Sequence, residues 1–200
     1  MRRAGRVLRY VAFGVGALFG LFGGMFIAGN AFADPGGWPA AGMTALWAIP
    51  LVGICTFALL RPAAAGPVLI ALTGMVAVFT IADSAFGIIP RDDWGPVAAI
   101  AVFALAVALA FLGLRRARLA GLLMVLAGLA QLTATLMGIA IEATDGPGPD
   151  AALGGSSGAV VVPLLVLGAL FLLAGVLEDR DQGDSGRFAA SGAVNAPPRL

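Results

Sequence analysis

Few residues in this chain are placed to do chemistry. They are Thr80, Asp83 and Ser84 in one apolar stretch, Gln131, Thr135 and Glu142 in another, and Asn30 near the end of a third. Hydroxyls, amides and two carboxylates suit the binding of a proton, a cation or a small polar solute better than the breaking of a bond. Asp83 admits two readings. In the functional one, Asp83 with Glu142 and Asn30 lines an outer vestibule, and its protonation is coupled to movement. In the structural one, Thr80, Ser84, Arg91 or interfacial water holds Asp83, which then orders the rim. Glu142 falls at the end of its stretch, where ordinary solvation is available.

What is missing narrows the chemistry further. The chain has no His, no Lys and a single Cys, Cys55. A disulfide, an imidazole or thiolate metal cluster, a Ser-His or Cys-His pair and a Schiff-base lysine are all excluded. No phosphate-cradling glycine loop, dinucleotide fingerprint or zinc-protease motif occurs either. The sequence therefore points away from an enzyme and calls for no catalytic residue, cofactor or metal.

The elements that carry these residues are membrane helices. Hydrophobic residues make up 60 % of the chain and charged ones 12 %, against about 45–50 % and 25 % in a soluble domain. Crossing the hydrocarbon takes roughly 20 apolar residues, and six stretches approach that, at 7–31, 40–60, 67–89, 96–114, 119–141 and 160–177. Alternating barrel strands are absent, so the expected fold is all-α, a polytopic bundle of six transmembrane helices spanning residues 1–177. The connections read as turns at 34–39, 61–66, 90–95 and 115–118, which makes successive helices antiparallel.

Arg sets the orientation. Arg2, Arg3, Arg6, Arg9, Arg61, Arg115, Arg116, Arg118, Arg180, Arg187 and Arg199 fall on one side of such a bundle and only Arg91 on the other. That bias places both termini in the cytoplasm. Trp38 and Trp94 serve as outer interfacial anchors. A rival reading makes the first stretch a signal peptide, cleaved after Ala31-Phe32-Ala33. Its apolar run exceeds the roughly 7 to 15 residues of a usual signal core, which favours retention.

Retention is also favoured by Ala12, Gly16, Gly20, Gly24 and Ala28, small residues every four positions along one face. Such a face allows close helix approach, as a homo-oligomer seam or a pore-lining glycine zipper, or as a contact with another of the chain's own helices. A second pattern is a repeat at an offset of about 55 residues, in which Trp38, Arg61 and Gly66 match Trp94, Arg116 and Gly121. It makes helices two and three a copy of four and five and equates Thr80 with Thr135. Gln131, Thr135, Gly138 and Glu142 step by four, three and four, so they share one helix face. Pro50 falls inside helix two and removes one backbone donor, while Pro163 reads as a first-turn proline of helix six.

Residues 178–200 show no apolar periodicity and read as a disordered cytoplasmic tail. The loop at 143–158 is too poor in apolar residues to fold alone. The basic ends attract anionic lipid headgroups and do not imply nucleic-acid binding. The segment from Phe26 to Trp38 and the Ala/Gly/Arg-rich style of the whole resemble small multi-pass membrane proteins of unknown function from high-GC bacteria. The resemblance implies a plasma-membrane location and no particular activity. The first expectation is thus a non-catalytic packing or interaction protein whose partners are the lipid bilayer and further copies or other membrane proteins. The second is a small transporter or channel component using Asp83.

Overall fold

The computed structural model describes the backbone of residues 2–32, 37–86, 91–142 and 156–194, and side chains chiefly at 4–23, 48–86, 101–138 and 160–180. Among these the fold is all-α, with six helices: α1 (Arg2–Phe32), α2 (Gly37–Leu60), α3 (Pro62–Phe86), α4 (Arg91–Gly113), α5 (Ala117–Glu142) and α6 (Ser156–Val194). Four are long and apolar enough to cross a membrane, through Ala4–Gly23, Pro62–Phe86, Ala117–Gly138 and Val160–Arg180. The described apolar parts of α2 and α4, Ala48–Leu60 and Ala101–Gly113, are shorter.

Several boundaries differ from the sequence expectation. The turn expected at 61–66 contracts to Arg61 alone. Its N–H donates to the Phe57 carbonyl at 2.9 Å, closing α2, and its own carbonyl accepts from Ala65 at 2.9 Å, opening α3. Pro62 suits that arrangement because the first helical position needs no donor. α4 begins at Arg91, not at 96. α6 begins at Ser156, so Pro163 stands two turns inside it and not in its first turn. The same helix continues past Leu177 to Val194. Glu178 and Asp179, expected in a loose tail, instead hold ion pairs with Arg9 and Arg118.

The largest interface is that between α5 and α6, followed by α1 with α4, while the sequence neighbours α2 and α3 touch only slightly. Direction follows from which residues meet. Gly16 and Gly20 of α1 face Ala110 and Val107 of α4, Gly5 faces Glu178 of α6, and Gly121 and Gly128 of α5 face Gly168 and Leu165 of α6. In each pair one number rises as the other falls, so α1 and α5 run together and against α4 and α6. Gly66 near the start of α3 lies against Arg116 and Leu119 at the start of α5. Given their shared interface, α3 runs with α5.

A continuous apolar core fills the inner part of this bundle. Leu69, Leu109, Leu112, Met124, Leu167 and Phe171 are almost wholly enclosed. The Phe171 ring rests over Gly113, in space that a side chain there would take. Phe13 meets Phe111 edge-on, with ring centroids 5.1 Å apart. The two expected hairpins occupy unlike places, since α4 and α5 contribute most of the core while α2 stands at its edge.

Candidate functional site

On α3 the buried face is marked by Gly66, Leu69 and Thr73, and helical spacing carries it outward through Thr80 and on to Asp83 and Ser84. On α5 the face of Ala120, Met124 and Ala127 continues through Gln131, Thr135 and Gly138. The inner part of each stripe is turned to the bundle, whereas a Cβ at Gly138, farther out on α5, would meet nothing within 4 Å. Along each, residues go from buried to half-buried on the way out, because the packing loosens away from the Arg-bearing end. From the contact of Gly66 with Leu119, Thr80 stands about 21 Å along α3 and Thr135 about 24 Å along α5, so the two are level within a turn.

The hydroxyls of these stripes are committed locally. Thr80 Oγ1 donates to the Val76 carbonyl at 2.7 Å and Thr135 Oγ1 to the Gln131 carbonyl at 2.9 Å. Thr73, the buried polar residue of the core, does the same to Leu69 at 2.7 Å. Such back-bonding satisfies a hydroxyl inside its own helix and leaves only acceptor capacity for a ligand. Asp83 is half-buried and engaged with a partner. Asn30 and Glu142 belong to α1 and α5, but their side chains lie outside the described residues.

The glycine face of α1 is used inside the chain. Gly16 lies against Ala110 and Leu167, Gly20 against Val107 and the Phe103 carbonyl, and Ala12 is fully buried. Of the two readings of this face, the internal contact is the one observed at these positions. Gly24 and Ala28 lie outside the described side chains. Sequence reasoning missed a tighter glycine contact between α5 and α6. There a Cβ on Gly121 would stand 2.7 Å from the Gly168 carbonyl oxygen, and one on Gly168 would stand 3.0 Å from the Gly121 oxygen. The available signal was a spacing of seven in both helices, Gly121 to Gly128 and Gly168 to Gly175.

Two further features were not legible in the sequence. An apolar cleft of about 300 Å³ opens between α2, α3 and α4, with Pro50, Ile54, Leu72, Met75 and Leu105 among its walls. Pro50 thus stands at the mouth of a gap in the packing. At the opposite pole of the polar stripes, Arg9 Nη1 donates to Glu178 Oε2 at 3.1 Å and Arg118 pairs with Asp179. These pairs bind α1 and α5 to α6 at one end. Arg6, Arg61, Arg115, Arg116 and Arg180 are exposed at the same end.

Among the described residues no group of His, Cys, Asp and Glu is gathered as a metal site would require. No family model, curated protein or solved structure matches the chain.

Proposed function

We infer that the chain is a non-catalytic, multi-pass membrane protein that works by packing with partners inside the bilayer. The observation that carries this reading is the apolar seal. Between the half-buried polar stripes and the Arg-bearing end, the described core consists of Leu, Ala, Val, Met and Phe side chains and the Cys55 thiol, with Thr73 as its buried polar residue. A conducting path needs hydrated groups on both sides of the midplane, and this core supplies them on one side only.

Membrane residence is supported by the outward apolar ridge of α1. Val7, Val11, Val15, Leu18 and Phe22 are each half or more exposed, a surface that a water-soluble monomer would seldom keep. The α2/α3/α4 cleft is the surface offered to an apolar partner. With the described parts of α2 and α4 extended by their remaining residues, all six helices span the membrane, and the Arg-bearing end with both termini faces the cytoplasm of a bacterial cell. The matched positions of Trp38 and Trp94 and of Arg61 and Arg116 support an ancient duplicated hairpin, since diverged.

The test is ion and proton flux into liposomes carrying the purified protein, with Asp83→Asn at matched incorporation. Neither protein should raise flux above that of empty liposomes. Flux in wild type that Asp83→Asn removes would overturn this reading in favour of a transporter using Asp83.

A further inference from the structure

The α2/α3/α4 cleft has a low floor because α4 presents alanine to it. Ala104 and Ala108 form that floor, with Pro50 and Ile54 on the α2 side and Leu72 and Met75 on the α3 side. Pro50 and Met75 are exposed, so the cleft opens away from the core. Every lining residue is apolar, and a polar solute or ion gains nothing by entering. A dry apolar cavity of about 150 Å³ already admits a benzene ring. At about 300 Å³ the cleft has room for an aromatic side chain together with part of a neighbour.

Depth decides which ring can fill it. Copies of one chain insert in a membrane the same way up, so a contact between two copies joins residues at equal depth. Among the described residues four aromatic rings are more than half exposed, those of Tyr10, Phe22, Trp38 and Phe86. Tyr10 lies beside Arg9 at the Arg-bearing end, Trp38 at the start of α2 and Phe86 at the end of α3. Of the four, Phe22 is the one level with the cleft. Gly20 and Gly23 of α1 lie against Val107 and Phe103 of α4, which sets Phe22 at the height of Ala104 and Leu105. Leu18, on the same exposed ridge, comes level with Ala108. Phe22 is 67 % exposed and is turned about 130° round α1 from the glycines that touch α4. It cannot fill the cleft of its own chain, because α1 is no part of the cleft wall.

We propose that the cleft receives Phe22 of a second copy of the chain, in a head-to-tail contact that repeats from copy to copy within the bilayer. The proposal rests on the packing reading above and names its partner. An exposed knob on one face and a hole of matching depth on another make a contact in which one copy gives and the next receives. A rigid ring seated in a preformed hole gains van der Waals contact that mobile lipid tails do not match, and such contact is what drives helix association in a bilayer.

The experiment uses the full chain in liposomes. In a Cys55→Ser background, Phe22→Cys and Met75→Cys are made singly and together, and disulfides are formed with a mild oxidant at high lipid-to-protein ratio. The double variant should give a ladder of cross-linked multimers. An equal mixture of the two single variants should stop at dimers, and each single variant alone should stay uncross-linked. Dimers from either single variant alone would overturn the head-to-tail contact, because like thiols meet only across a two-fold axis. Association of fluorescently labelled protein, followed by energy transfer as lipid is added, provides a second reading that needs no disulfide geometry. Phe22→Ala should weaken association by about tenfold, while Phe86→Ala, which removes an exposed ring at another depth, should leave it unchanged. Equal weakening by both variants would overturn the proposal. A wild-type chain that is monomeric at every dilution would also overturn it and leave the packing reading to other membrane proteins as partners. Ion flux in the liposome test above would overturn that reading and leave this contact standing.

Discussion

The carbonyl oxygen of Gly168 lies 2.7 Å from where a Cβ of Gly121 would stand, so α5 and α6 meet backbone to backbone at this point. In a bilayer no hydrophobic drive holds helices together, and close van der Waals approach of this kind must do so instead.

Gly121→Ala should therefore destabilise the protein, by about 1–3 kcal/mol, since a methyl group meets backbone that cannot rotate away. Gly53→Ala and Gly74→Ala are the controls. Nothing lies within 4 Å of a Cβ at either position, and Ala gains up to about 1 kcal/mol of helix propensity over Gly. Thermal unfolding in detergent separates the cases. A Gly121→Ala protein as stable as Gly74→Ala would show that the close approach does not exist.

How much of this was legible in the sequence depends on which property is asked for. The gathering of Arg9, Arg61, Arg116, Arg118 and Arg180 at one end follows from counting charges between apolar runs. That rule reads water against lipid, a contrast the sequence states openly. Helix partners are harder. Gly16 and Gly20 announce that something approaches closely, yet the same pattern serves a second copy or a neighbouring helix, and only the structure supplies Val107 and Phe103 as the answer. Where a helix is apolar all round, its packed and lipid-facing sides look alike, so the cleft at Pro50 leaves no trace in composition. The shift of the α2/α3 connection to Arg61 has a similar cause, because Pro62 fits a turn and a first helical position equally well.

The two ion pairs at the Arg-bearing end should behave differently. Arg9 and Glu178 are 20 % and 26 % exposed, whereas Arg118 and Asp179 are 54 % and 50 % exposed. Arg9 also buries its Nε without a partner. Glu178→Gln leaves that guanidinium poorly satisfied and should cost about 1–3 kcal/mol. Asp179→Asn removes a solvent-screened pair and should cost less than about 1 kcal/mol, with the difference vanishing in high salt. Unfolding midpoints at low and high ionic strength check both. A larger loss for Asp179→Asn would reverse the assignment.

Thr80→Val and Thr135→Val should each change stability by less than about 1 kcal/mol, because each hydroxyl donates only to a carbonyl of its own helix. Under the packing reading neither variant alters any membrane permeability. Loss of more than that from either variant would mean that its hydroxyl serves another helix or a bound group.

Retention of α1 is expected from its contacts. Ala12 is fully buried, and Gly20 presses on Val107, so removing residues 1–33 strips the covering from faces of α4 and α6. Intact-mass measurement of protein extracted from membranes should find residues 1–33 present, and a chain lacking them should fail to give a stable detergent-purified species. Mass corresponding to cleavage after Ala33 would show that α1 is a leader and that the core closes without it.

Topology can be tested directly because Cys55 is the only cysteine and is buried. In a Cys55→Ser background, Arg6→Cys, Arg61→Cys, Arg115→Cys and Arg180→Cys place single thiols at exposed positions on the Arg-bearing end, and Trp38→Cys places one at the start of α2, away from it. A membrane-impermeant maleimide applied to intact cells should label Trp38→Cys alone. After permeabilisation it should label all five. Labelling of some but not all of the four Arg-derived thiols in intact cells would break the common placement that the Arg9–Glu178 and Arg118–Asp179 pairs and the Gly66–Arg116 contact require. Labelling of all four, with Trp38→Cys protected, would keep the bundle but turn it over in the membrane, against the direction that the Arg bias sets.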